Sequence, residues 1–152
     1  MRSIVCAAVI LFSCHCLFAQ QVVDFKSHKA VLFADTIKLN FSVDSLASRF
    51  TPSKNDAILA EEIITKFRQE FVKHWGRSFN SELRKSNRQF VGYNDQNDEK
   101  HVLVFLLNMN KSHADYYFET WSTKPVIGFG KFYEQNLKIL NINLSRGRAR
   151  IY

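Results

Sequence analysis

The segment Ala60, Ile63, Ile64, Phe67, Phe71 and Trp75 repeats apolar residues at steps of three and four. That spacing draws a single apolar stripe about four turns long on an α-helix, with Phe67 near its middle. Lys66, Arg68, Gln69, Glu70 and Lys73 fall off the stripe. Thr51-Pro52-Ser53 marks the start: Ser53 can cap, and Asp56 three residues later makes an acidic capping box. Gly76 is the natural stop, suited to the left-handed position past a helix end. A helix with one apolar stripe must bury it against another layer, so the rest of the chain has to supply a sheet or further helices.

The remainder reads mostly as strands. Thr36 to Asp44 alternates strictly, with Ile37, Leu39, Phe41 and Val43 on one face, the period of a half-buried strand. Arg77 to Asn87 is polar around Phe79 and Leu83 and reads as a loop or a short second helix. Arg88 to Asn94, the turn cluster Asp95-Gln96-Asn97-Asp98-Glu99, and the nearly all-apolar His101 to Leu107 predict a hairpin whose second strand is covered on both faces. Asn108 to Thr123 is irregular, and Pro125 to Phe129 reads as a short strand. Asn136 to Leu144 and Arg148 to Tyr152 flank the turn Ser145-Arg146-Gly147. The alternation predicts Leu140, Ile142 and Leu144, then Ala149 and Ile151, toward the helix, with Asn141 and Asn143 turned to solvent. The expected fold is therefore α+β: one long helix packed on a four- to five-stranded antiparallel meander, over residues 36–152. Residues 20–35 read as a mobile lead-in, with Ala30 to Phe33 able to pair at a sheet edge.

The first 19 residues read differently. Arg2 precedes the apolar run Ile4 to Phe12, too short to span a bilayer as a permanent helix. Leu17-Phe18-Ala19 then predicts signal cleavage between Ala19 and Gln20. Leu11-Phe12-Ser13-Cys14 offers a rival lipidation site at Cys14. All three cysteines, Cys6, Cys14 and Cys16, lie in this segment. The domain behind it has no disulfide and must be held by core burial, for which 12 of the chain's 14 phenylalanines are a rich stock. No later stretch is long and apolar enough to span a membrane. Secretion or a periplasmic location is expected, with lipid anchoring in the cell envelope as the alternative.

Phe50-Thr51-Pro52-Ser53 before the helix, Arg88-Gln89-Phe90-Val91-Gly92-Tyr93 after it, and a closing strand–turn–strand resemble a family of small exported bacterial proteins of unknown function. The likeness covers roughly residues 24–152 and implies a cystatin-like or NTF2-like shape, a curved sheet wrapping a helix. It implies no activity and no functional residues.

Chemistry is sparse in the motifs. There is no G-x-S-x-G, no H-E-x-x-H and no phosphate-cradling glycine loop, since Gly128-Phe129-Gly130 shows no following helix in the pattern. Among the histidines His28, His74, His101 and His113, the last has Asp115 two residues on and Glu119 six on, but a lone H-x-D in a polar loop falls short of a metal motif. No metal and no cofactor are expected. The candidate binding residues are Arg88, Gln89 and Tyr93. Arg88 and Phe90 face one way on their strand and Gln89, Val91 and Tyr93 the other, where Gln89 and Tyr93 could line the concave side of the sheet. The net charge of +7 favours acidic partners or an anionic surface, although no run of adjacent basic residues marks a nucleic-acid patch and none is expected to bind. These features suggest an exported binding or interaction module of unknown ligand or protein partner, with a small cell-envelope enzyme in the same cleft as the alternative. An enzyme should bring at least two titratable side chains within hydrogen-bond reach and perturb them.

Overall fold

The computed structural model describes residues 20–152. Residues 1–19, read from the sequence as a signal segment, with Cys14 and Ala19, lie outside the described residues. The protein is α+β, as expected, but the sheet is larger and less regular than a meander. Seven strands form one sheet among the described residues: β1 (Gln20–Asp24), β2 (Lys29–Phe33), β3 (Leu46–Phe50), β4 (Asn87–Asp95), β5 (Lys100–Leu107), β6 (Leu137–Asn143) and β7 (Arg148–Ile151). Four helices accompany them: α1 (Lys54–Trp75), α2 (Phe79–Lys85), α3 (Ala114–Tyr117) and α4 (Lys131–Asn136).

Helix α1 forms where the stripe places it. Ser53 accepts from the Asp56 backbone amide at 3.1 Å, and Asp56 Oδ2 accepts from the Ser53 amide at 2.8 Å, closing the capping box. The helix ends at Gly76, whose φ of 86° and ψ of 172° lie outside the left-handed helical well but in a region that only glycine adopts freely. Ala57, Ala60, Ile63, Ile64 and Phe71 are buried, while Phe67 and Trp75 are half-buried against the same core. The polar stretch after Gly76 resolves into α2, which buries Phe79 and Leu83.

The sheet order is β1-β2-β4-β5-β6-β7. β4, β5, β6 and β7 run antiparallel in succession, as the hairpin readings predict. The departure lies at the N-terminal side. Residues 20–35, expected as a lead-in, contain the β1–β2 pair, and β2 is an interior strand rather than an edge. It pairs parallel with β4, Ala30 opposite Arg88 through Phe33 opposite Val91. The four apolar residues Ala30 to Phe33 are essentially inaccessible, the mark of a strand covered on both faces. β3 then takes up the rest of the same β4 edge, antiparallel, with Phe50 opposite Gly92. A Cβ at Gly92 would lie 2.6 Å from the Phe50 carbonyl oxygen, so only glycine allows this approach.

Two segments expected as strands are not strands. Thr36 to Asp44 keeps its period-two burial, with Ile37, Leu39, Phe41 and Val43 packed on the sheet, but pairs with no neighbour. Alternation reports which side chains are covered, not whether a ladder forms. Pro125 to Phe129 is likewise irregular. The Gly128-Phe129-Gly130 loop, read as having no helix behind it, is followed by the six-residue α4.

Each face of the sheet carries its own core. On one, Leu32, Phe90, Val102, Val104, Leu140 and Ile142 pack against α1 and α2, joined by Leu144 and Ala149. Ile151, expected in this core, is about a third exposed, near the end of the edge strand β7. On the other face, Val31, Phe33, Val91, Tyr93, Leu103 and Phe105 pack beneath the 36–44 segment, Ile127 and Ile139.

Candidate functional site

Arg88 and Gln89 serve the fold. Arg88 is 1 % exposed. It donates through Nε to Glu61 Oε1 on α1 at 2.9 Å and through its terminal nitrogens to the carbonyls of Ser86 and Leu83. A buried guanidinium bonded at all three nitrogens ties β4 to α1 and α2, and at 1 % exposure it is out of reach of a ligand. Gln89, on the other face, bonds backbone only: its Nε2 donates to the Trp121 and Lys124 carbonyls and its Oε1 accepts from the Val126 amide at 2.8 Å. It staples the irregular 121–126 loop to the sheet. Tyr93, the third, lines a cavity.

That cavity holds about 340 Å³ and opens at one end of the sheet, on the face away from α1. The ladder register builds it. Tyr93 lies opposite His101, His101 opposite Asn143, and Asn143 opposite Arg148, so one cross-strand row spans β4 to β7. Asn141 lies opposite Arg150 in the next row on the same face. The far end of this face is apolar, so the polar residues are gathered at one end only.

The turn between β4 and β5 adds two carboxylates. Asp95 Oδ1 accepts the amides of Asn97 at 2.8 Å and Glu99 at 2.9 Å, and the Asp95 amide donates to the Glu99 carbonyl. These bonds fold the turn back so that Asp95, Glu99 and His101 bring ligand-type atoms within 4.8 Å of one another. The Glu99 amide bond, then that of Asn97 and the nearby His101, hold the Asp95 carboxyl below its usual range, against some desolvation.

The cavity floor is a buried polar network. Asn141 Nδ2 donates to the Tyr93 hydroxyl at 2.7 Å, and Asn141 Oδ1 lies 3.0 Å from His101 Nδ1. The Tyr93 ring stacks on His101 with centroids 5.0 Å apart. Burial raises the Tyr93 phenol above its ordinary value, partly offset by the bond from Asn141 and by Arg150. Asn143 Nδ2 donates to Glu99 Oε2 at 2.6 Å and lies 3.3 Å from His101 Nε2. Arg146, from the β6–β7 turn, pairs with Glu99 Oε1.

The alternation argument put Asn141 and Asn143 in solvent; instead Asn141 is 1 % exposed and Asn143 half-buried. The face was assigned correctly, but its environment was not, because Tyr93 and His101 supply the polar partners that make burial of an amide affordable. His113, the histidine singled out by its neighbours, is exposed on the loop before α3 and gathers no carboxylate ligands among the described residues. The signal that was missed is Asp95-x-x-x-Glu99-x-His101: in a hairpin, a five-residue turn folds such a spacing onto one face. Comparisons with family models, curated proteins and solved structures find no significant match to this chain.

Proposed function

We propose that this chain is an exported binding module whose cavity, between the β4–β5 and β6–β7 hairpins, takes a small anionic ligand. The observation that carries the reading is the row Tyr93, His101, Asn143 and Arg148, with Arg150 beside it, around an open cavity. Arg146 is engaged by Glu99, whereas Arg148 and Arg150 have no carboxylate partner among the described residues. Two planar guanidinium groups above a floor of hydroxyl and amide groups match a carboxylate or phosphate. Export supplies the setting: the resemblance to small exported proteins and the 1–19 segment support a secreted or periplasmic chain, with a lipid anchor at Cys14 as the rival. Mass spectrometry of the natural protein should find Gln20 first; Met1 at the N-terminus would overturn export.

The test of binding is a titration with inorganic phosphate and with acetate, followed by amide NMR shifts. Saturable shifts centred on Asn143, Arg148 and Arg150, reduced at least tenfold in affinity by Arg148→Ala with Arg150→Ala, are expected. Shifts absent, or unchanged in that variant, would overturn the reading.

One observation favours the second reading, a small envelope enzyme in the same cavity: Asp95 Oδ2 lies 3.5 Å from His101 Nε2, two titratable groups converging. Against it stands the occupancy of the imidazole. Asn141 holds one ring nitrogen, and Asp95 with Asn143 faces the other, so neither is free to exchange a proton with a substrate.

A further inference from the structure

We infer that Asp95, Glu99 and His101 form a binding site for a divalent transition-metal ion at the inner side of this cavity. The inference uses the cavity of the preceding reading but not its anion.

It rests on how His101 is held. Asn141 spends its amide nitrogen on the Tyr93 hydroxyl, so its oxygen is what meets His101 Nδ1. An oxygen acceptor there requires the ring proton on Nδ1. Nε2 is then turned toward Asp95 Oδ2, 3.5 Å away, and toward the side of the turn where Glu99 sits. In the metal-free chain Asn143 Nδ2 lies 3.3 Å from that nitrogen, and a bound cation would take the amide's place there. A histidine with one ring nitrogen donating to a fixed oxygen and the other turned to carboxylates is the arrangement that orients imidazole ligands around metals. The stacked Tyr93 ring fixes the plane of the imidazole as well.

The donor set narrows the ion. One imidazole nitrogen and two carboxylates suit zinc, cobalt or other first-row divalent ions better than magnesium or calcium, which prefer all-oxygen shells. Three protein ligands would leave a fourth position on the side where the same residues line the cavity. Asp95 keeps Oδ2 free because its turn bonds use Oδ1. Glu99 is held by Asn143 and by Arg146, and Arg146 is the competitor for the ion; its side chain is more than half exposed and can move aside.

The experiment uses the full chain with Cys6→Ser, Cys14→Ser and Cys16→Ser, so that thiols do not compete. Co2+ is titrated and followed by its visible absorption. One equivalent is expected to bind with a ligand-field band, and Asp95→Asn and Glu99→Gln should each weaken uptake at least tenfold while circular dichroism stays unchanged. His113→Ala should have no effect, and Arg146→Ala, which removes the competing cation, should tighten binding. No uptake, uptake indifferent to Asp95→Asn, or uptake weakened by Arg146→Ala would each overturn the site. A phosphate titration of the metal-free chain separates this from the anion reading. Phosphate failing to bind while Co2+ uptake is intact sinks the anion and leaves the metal site; absent Co2+ uptake sinks the metal site whatever phosphate does.

Discussion

The Tyr93 hydroxyl and the Asn141 amide meet at 2.7 Å although a whole strand, β5, lies between their own strands. The contact bridges the sheet over its face, with His101 beneath it as the third member. Removing one side leaves the other buried and unpaired. Asn141→Leu strips both the phenol and His101 Nδ1 of a partner, and each unsatisfied group costs about 1–3 kcal/mol. Tyr93→Phe should cost less, since it orphans only one amide hydrogen. Urea melts of both variants and of the double variant check this, and the double should be less destabilised than the sum of the singles.

Within α1 the stripe is not uniform. Phe71 is 2 % exposed and sits against Trp75 and Phe79, whereas Phe67 is half-buried. Phe71→Ala should cost about 3–5 kcal/mol, the usual range for a fully buried phenylalanine. Phe67→Ala should cost clearly less. Equal urea midpoints for the two would contradict the burial.

Acid should act through Glu61. Burial pushes its carboxyl up, but His28 and Arg88 together outweigh that and leave it below its ordinary value. A folded-state value below the unfolded one adds stability that is present above the unfolded value, about 4.3. That stability is lost as pH falls through the folded value. Glu61→Gln should therefore be less stable than the parent at neutral pH, with the gap closing below about pH 4. Thermal melts from pH 7 to pH 3 measure it; a gap constant with pH would assign the loss to packing.

Ile142 and Ile151 carry opposite expectations although both were read toward the helix. Ile142 is inaccessible among α1-facing residues, so Ile142→Asp places an unpaired charge in the core and should prevent folding. Ile151→Asp, near the end of β7, should fold with a small loss in melting temperature.

Helix α1, its capping box and the two C-terminal hairpins were legible because their signals are local: a period, a cap, a turn residue. The two faces of β4 were legible for the same reason, with Phe90 and Val91 in separate cores. What could not be read depends on distant pairing. Nothing in Ala30 to Phe33 announces that its partner is Arg88 to Val91, with α1 and two further elements between them. The candidate site failed to show for a related reason. Asp95 and Glu99 look like ordinary turn residues until the register sets them beside His101, and Asn141 looks solvated until Tyr93 reaches it across β5.

The edge of β4 that receives both β2 and β3 also sets an order of events. Sequence position 30 finds its lasting neighbour only after position 91 has been made, so early synthesis leaves Ala30-Val31-Leu32-Phe33 with β1 as its available partner. A short, uncharged, β-prone run left waiting is a hazard for intermolecular pairing. The same long-range closure makes the final docking slow compared with the hairpins, which close within a few residues. Covering residues 29–33 until β4 arrives would remove that hazard.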